Sequence, residues 1–239
     1  MDRFFIIFND ISNEDVGVHV KQRPNIPSPK ERVTVTPRSG GEDLHKHTGI
    51  YEDMQIEIEF SYKDELNFNE VWRQFKKWLF RYNDNKLRLS DDLDYFYKVC
   101  NVEISENARQ ELWEFGGTTV TFLVKPHSYL MCGLRSIVID NNSSYYNPYE
   151  KALPNYVIEG EGNLYLTVNG NKVEINVGQK VEVNTELKKC FKSNEMINLS
   201  LVTGSFEDLY LQEGNNTFSW SVKSGKITKV TIIPNLREL

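Results

Sequence analysis

The chain is short of the residues that metal and redox chemistry use. Its 239 residues include three cysteines and four histidines. Cys100, Cys132 and Cys190 are odd in number, far apart and without a C-x-x-C pair. They suit neither a disulfide framework nor a zinc site, and they point to a reducing compartment. Long apolar runs are missing. The stretch from Arg3 to Phe8 stops at Asn9-Asp10, which is too short for a secretory signal or a membrane span, so the expectation is synthesis in a cytoplasm. A basic excess is missing too. With 34 acidic and 28 basic side chains the formal net charge is -6, the wrong sign for a general nucleic-acid binder.

Catalytic signatures are equally scarce. There is no G-x-S-x-G, Walker A or H-E-x-x-H segment. Gly160-Glu-Gly162 lacks the third glycine and the following helix of a dinucleotide fingerprint, and reads as a turn. Asp91, Asp92 and Asp94 lack the glycine and terminal glutamate of a calcium loop, and read as a hairpin turn. Glu57 and Glu59 share a strand face, where carboxylates more often keep the surface wet than form a glycosidase pair. The N-x-S/T sequons at Asn141, Asn198 and Asn215 carry no meaning without a secretory route. These absences lead to the expectation of a non-enzymatic chain with no cofactor and no metal.

What is present is strand. Aromatics make up 12% of the chain, and aromatic residues favour pleated surfaces and interfaces. Met54, Ile56, Ile58 and Phe60 alternate with polar residues, as do Val120, Phe122 and Val124; this is the period of a strand with one dry face. One segment breaks the pattern. Phe68, Val71, Trp72, Phe75, Trp78 and Leu79 recur at three- and four-residue steps, which predicts a helix from Asn67 to Phe80. Asn67 is placed to cap it and Glu70 sits at the capping-box position. Glu111–Phe115 and Thr118–Val124 read as two strands joined at Gly116-Gly117.

A domain boundary is expected near Met131, giving halves 1–130 and 131–239. In the second half the spacing predicts short strands at Val157–Glu159, Leu164–Val168, Lys172–Val177 and Lys180–Asn184. Asn169-Gly170 is a two-residue hairpin signal, because both residues tolerate positive φ. Phe218, Trp220 and Val222 fall on one face, with Trp220 expected in the core. Lys223–Lys226 reads as a loop leading to a last strand, where Thr228, Val230 and Ile232 face inward and Pro234 ends the ladder. Asp140–Tyr149 reads as an aromatic loop.

Two surfaces are candidates for function. Arg38, Ser39, Gly40, Gly41, Glu42, Asp43, Leu44, His45, Lys46 and His47 form a polar segment between the predicted strands 32–37 and 51–62. They read as the tip of a hairpin arm too polar to join a core, either free or laid on a neighbouring subunit. His45 and His47 could bind a metal, but no further ligand stands at a suitable spacing, so a solvated or interface-lining loop is the expectation. Tyr145, Tyr146 and Tyr149 are the second candidate, as exposed aromatics that stack on a sugar, anchor a partner or pack at the domain border.

The order of these features resembles the distal tail proteins of long, non-contractile-tailed bacteriophages and prophages. In the first half the resemblance rests on Val16-Gly-Val, the crossing segment with Pro24, Pro27 and Pro29, the Gly40-Gly41 hairpin and the helix Glu70-Val-Trp-Arg-Gln-Phe-Lys-Lys-Trp-Leu79. Leu87-Arg-Leu-Ser-Asp-Asp92 and Val120-Thr-Phe-Leu-Val-Lys-Pro126 extend it. In the second half it rests on Tyr156-Val-Ile-Glu-Gly160, Gly204-Ser-Phe-Glu-Asp-Leu209, Glu213-Gly-Asn-Asn216 and Ile233-Pro-Asn-Leu-Arg237. Where the family often carries G-R-D-G at the hairpin tip, this chain has Arg38-Ser-Gly-Gly41. The resemblance implies a mainly β chain: an N-terminal β-sandwich or barrel with one helix and an arm, then a galectin-like sandwich. It also implies a structural role in the virion tail as a homo-hexameric ring. The ring would join the tail tube protein to the tail-tip hub protein and pass DNA without specific binding, with outward domains meeting receptor-binding parts. The alternative from a different class is a host-wall carbohydrate-binding module in the C-terminal sandwich.

Overall fold

The computed structural model describes residues 4–62, 67–192, 195–197 and 201–239. Arg3 and the sequon at Asn198 lie outside them. The chain is mainly β and divides into two compact units, residues 1–128 and 129–238.

In the first unit, β1 (Ile6–Phe8), β2 (Ile11–Ser12) and a short helix α1 (Asn13–Val16) precede β3 (Val18–Val20). A hairpin follows, β4 (Glu31–Thr36) and β5 (Leu44–Tyr51), then β6 (Met54–Tyr62) and helix α2 (Phe68–Phe80). β7 (Lys86–Leu89), β8 (Asp92–Ile104), helix α3 (Ala108–Glu114) and β9 (Thr118–Leu130) complete it. The main sheet runs β2-β1-β7-β8-β9-β6-β3, and β4-β5 stand apart as a two-stranded ribbon.

Helix α2 forms where the apolar stripe requires it. Asn67 Oδ1 accepts the Asn69 N–H at 3.0 Å, and all six stripe residues are buried. Aromatics are mediocre helix formers by tenths of a kcal/mol, but burying each large side chain contributes about 1.5–3 kcal/mol, so packing decides. Trp78 lies edge-on to Phe8 and Phe60, with ring centres 5.9 and 6.0 Å apart, and its Nε1–H donates to the Phe8 carbonyl at 2.8 Å. A second brace is Asn13, fully buried, whose Oδ1 accepts the Ile6 N–H at 2.7 Å while its amide donates to the Val18 carbonyl at 2.8 Å.

The segment read as a strand at Glu111–Phe115 is the end of α3, so α2 is not the sole helix. Ala108 and Leu112, one turn apart, are buried. Glu111 fixes the turn by accepting the Ser105 hydroxyl at 2.7 Å and the Thr118 hydroxyl at 3.0 Å. Gly116, at φ 67°, ends the helix rather than turning a hairpin; a left-handed residue after the last turn is the usual helix stop.

The second unit contains β10 (Ile137–Val138), β11 (Ser143–Asn147), β12 (Asn155–Val168), β13 (Asn171–Asn184), β14 (Lys189–Lys192), β15 (Glu195–Ile197), β16 (Leu201–Thr203) and β17 (Gly214–Ile233). The sheet order is β10-β17-β12-β13-β14-β15, with β11 also on β17 and β16 also on β13. The short strands expected at 157–184 are two strands of 14 residues each, and the segment from 214 to 233 is one strand of 20. Neither Gly160-Glu-Gly162 nor Lys223–Lys226 is a turn. The β12–β17 ladder runs from Asn155↔Ile233 to Val168↔Phe218 with two register shifts, which leave Lys223 and Thr228 unpaired in β17. Thr228 is therefore exposed, not inward.

The inward parity of β12 continues through the bend. Tyr156 and Ile158 on one side and Leu164, Leu166 and Val168 on the other are all buried, and on β13 Val173, Ile175, Val177, Val181 and Val183 are buried with Gln179 exposed between them. The long strands thus curl over one core as a sandwich-type sheet. Asn169 (φ 51°) and Gly170 (φ 87°) make the tight turn between Val168 and Asn171, as the dipeptide predicts. Buried Asn216 ties the turn before β17 to that hairpin: it accepts from Gln212 N–H and Asn169 Nδ2 at 2.8 Å each and donates to the Gln212 carbonyl at 2.8 Å. Pro234 directly follows the end of β17.

Candidate functional site

The ribbon β4–β5 is the most distinctive surface of the first unit. Its register pairs Val33 with His47, Thr34 with Lys46, Val35 with His45 and Thr36 with Leu44. The return strand is therefore Leu44–Tyr51, not the predicted 51–62, which is β6 of the main sheet. Leu44, His45, Lys46 and His47 sit in a ladder, and the tip narrows to residues 37–43. Arg38, Ser39, Gly40, Gly41, Glu42 and Asp43 lie in that tip, all exposed, with Gly40 at φ 80°. Alternation failed to reveal β5 because neither of its faces is dry.

Glu31 organises the root of the arm. One carboxylate oxygen lies 2.7 Å from His47 Nδ1, and the other accepts the Gly49 N–H at 2.7 Å. The His47 hydrogen bond, followed by that from Gly49, holds the Glu31 carboxyl below its ordinary value. The Thr48 hydroxyl donates to the Arg32 carbonyl at 2.5 Å. Between Glu31 and Val33 the register shifts opposite Thr48–Ile50, with Gly49 at φ 66°. Beyond this root the ribbon has little of its own to bury: Val35, Leu44 and Ile50 are 47%, 47% and 54% exposed. A two-stranded ribbon with no dry face is marginal in water by itself.

Two of the three tyrosine candidates are in a strand, and Tyr149 lies in the bend beyond it. Tyr145 and Tyr146 belong to β11, opposite Asn216 and Asn215 of β17. Tyr146 is 66% exposed, whereas Tyr145 and Tyr149 are half-buried. Trp220, expected in the core, is half-buried as well. Burial along β17 fades from Phe218 towards the bulge at Lys223, and Val222 is 44% exposed. The backbone of Trp220 is held by Asn141, whose amide donates to its carbonyl at 3.0 Å and whose Oδ1 accepts its N–H at 2.8 Å.

The other acidic, histidine and cysteine residues singled out in the sequence do not converge on one place among the described residues. Glu57 and Glu59 line a groove beneath the Pro24–Pro27 crossing, and Lys21 holds Glu59 at 2.7 Å. His19 Nδ1 lies 2.8 Å from Glu14, and Arg23 pairs with Asp91. Asp92 pairs with Leu89 at the start of β8, and Asp94 lies within that strand. Cys100 and Cys132 are exposed; Cys190 is buried, which pushes its thiol up to about 11. Burial likewise raises the Tyr156 hydroxyl, which donates to the Leu209 carbonyl at 2.8 Å in the core. No cluster of three or more metal-ligating side chains occurs among the described residues. None of their helices is long and apolar enough to cross a membrane.

This architecture, a helix-backed sheet with a ribbon arm and a long-stranded curled sandwich, is shared with solved structures of a phage hub protein and of a phage baseplate. The chain superposes on the SPP1 Dit protein, described as a paradigm of the hub adsorption apparatus in phages infecting Gram-positive bacteria, with a TM-score of 0.63 over 97% of both chains at 12% identity. It also superposes on a chain of the phage P2 baseplate in its activated conformation with calcium, with a TM-score of 0.56 at 10% identity, covering 100% of this chain and 99% of that one. The corresponding strontium structure gives 0.54 at 10% identity over 96% of each chain. No protein-family model and no curated protein sequence matches the chain. The fold that the sequence resembled is the fold the chain has.

Proposed function

We propose that this chain is a distal tail protein: a structural ring component that joins a phage tail tube to the tail-tip hub. The observation that carries the reading is the coverage of the SPP1 Dit likeness, 97% of each chain. Each unit spans more than a hundred residues, so neither can fall outside it.

The ring is a homo-hexamer whose N-terminal unit, 1–130, holds neighbours together, while the galectin-like unit, 131–239, faces outward. Closure needs a heterologous, head-to-tail contact. The exposed ribbon supplies reach for such a contact without a large apolar patch on the free chain. The partners are the tail tube protein on one face, the tail-tip hub protein on the other, and a receptor-binding component or glycan at the rim. DNA crosses the lumen without sequence recognition, which suits a formal charge of -6, since affinity for the phosphate backbone grows with cationic contacts. The location is the virion tail, the role is not enzymatic, and assembly follows synthesis in the host cytoplasm.

Native mass spectrometry and negative-stain microscopy of the purified full chain test this, alone and mixed with a phage tail tube protein. Six-fold rings with the mass of six 27.9 kDa chains are the expected result. A chain that stays monomeric in both mixtures sinks the proposal.

A further inference from the structure

Of the four tryptophans, Trp72 and Trp78 are buried and Trp220 is half-buried, but Trp113 is 59% exposed. An indole left this open on a folded surface is uncommon, since tryptophan is highly buried on average and is enriched at interfaces. Trp113 projects from α3 into a cleft of about 650 Å3 in the first unit, within the range of small-ligand pockets.

The floor of the cleft is aromatic. The Phe68 ring lies 4.7 Å from Trp113, centre to centre, and Tyr62 lies 5.3 Å from Phe68, so the indole is buttressed from one side and open on the other. The rim is polar in a particular way. Asn107 and Gln110 each offer both a donor and an acceptor. Glu106 and Glu114 only accept when ionised, and Arg109 only donates. Arg109 is held in place by its bond to Asn69 Oδ1 at 3.0 Å, and the Gln110 amide is held by Glu114 at 3.0 Å. Two carboxylates against one guanidinium make the rim mildly acidic, which disfavours a phosphate or another polyanion.

A flat apolar platform ringed by mixed donors and acceptors matches one common ligand shape. A pyranose ring carries C–H groups on one face and hydroxyls, each donor and acceptor, around its edge. The geometry points to a saccharide site in this cleft, with Trp113 as the stacking platform and Gln110, Glu114 and Arg109 as the groups that read the hydroxyl edge. The cleft lies within the N-terminal unit, whereas the tyrosine candidates and Trp220 belong to the second unit. The scaffold behind it is fixed: Glu111 anchors α3 to Ser105 and Thr118, and Leu112 is fully buried beneath it.

The test is calorimetric titration of the full-length chain with neutral β-linked tetrasaccharides of glucose and of N-acetylglucosamine. Saturable binding of at least one is expected. Trp113→Ala should weaken it about tenfold or more, as loss of a central aromatic anchor does, and Gln110→Ala by a smaller factor. Trp220→Ala should leave it unchanged. Because Trp113 rests on Phe68, the thermal melt of each variant is recorded, and the solvent-facing Gln110→Ala carries the test if Trp113→Ala fails to fold. No saturation with either probe overturns the proposal, as does binding that survives both cleft substitutions or is lost equally on Trp220→Ala. Ring assembly is measured separately, so failure here leaves the tail-ring reading standing and failure there leaves this one.

Discussion

Gly162 and Gly225 face one another across the β12–β17 ladder, and neither position has room for a side chain. A Cβ on Gly225 would stand 1.9 Å from the Glu161 carbonyl oxygen, and one on Gly162 would stand 2.0 Å from that of Ser224. Both residues also have positive φ, 116° and 80°. The two long strands approach at their bend through backbone alone, flanked by the unpaired Lys223 and Thr228. Glycine inside a strand at such a place signals a bulge and a bend.

Gly225→Ala should therefore destabilise the chain by about 2–4 kcal/mol, combining a left-handed alanine with backbone overlap. Gly170→Ala is the comparison, since its positive φ remains but open space surrounds it; it should cost about 1–2 kcal/mol. Urea unfolding of both variants checks the order, and equal midpoints would remove the close-approach argument.

Trp78→Phe should cost about 1–3 kcal/mol beyond the change in ring size. It keeps an aromatic group in the core but strands the Phe8 carbonyl without the Nε1–H donor in a dry place. Chemical denaturation gives the number. A loss no greater than that of Trp72→Phe, whose indole donates to no carbonyl among the described residues, would argue that the carbonyl finds another donor.

The arm root should loosen in acid. Glu31 has its folded carboxyl pKa lowered, chiefly by the His47 hydrogen bond. A lowered folded value means its contribution is present above the ordinary value of 4.5 and is lost as pH falls through the folded value. Amide exchange of Thr48–Tyr51, corrected for intrinsic rates, should show Gly49 protection that declines below pH 4.5 in the parent chain. In Glu31→Ala protection should be low at all pH values. A flat profile in the parent chain would show that Glu31 does not hold the root.

Replacing residues 37–43 by a two-residue turn should leave both units folded, because that tip buries nothing. It should weaken self-assembly if the ribbon lies on a neighbour. Sedimentation of the variant beside the parent chain measures this, and an unchanged oligomer distribution would shift the ring contact elsewhere on the first unit.

Some of this could be read without coordinates. The α2 stripe, the alternation of β6 and β9 and the Asn169-Gly170 turn are local signals, each carried by neighbouring residues in fixed periods, and each was legible. The arm was legible as polar and exposed, but its return strand was not, because β5 has no dry face to set a period. α3 was misread because a seven-residue helix shows two turns of pattern, and its Trp113 and Phe115 mimic strand residues. The cleft at Trp113 had no linear signal at all: Tyr62, Phe68 and Trp113 come from β6, α2 and α3.

The sequence by itself determined the class of chain: mainly β, one strong amphipathic helix and an exposed arm, because composition and short-range periodicity act through adjacent residues. Only the tertiary structure decided what the central glycines of the second unit do. Gly160, Gly162 and Gly225 look like turns along the chain, since a turn and a bulge both need positive φ. Which one forms depends on the strand across the ladder, and here the neighbouring backbone sits where a side chain would be, so the strands bend and continue.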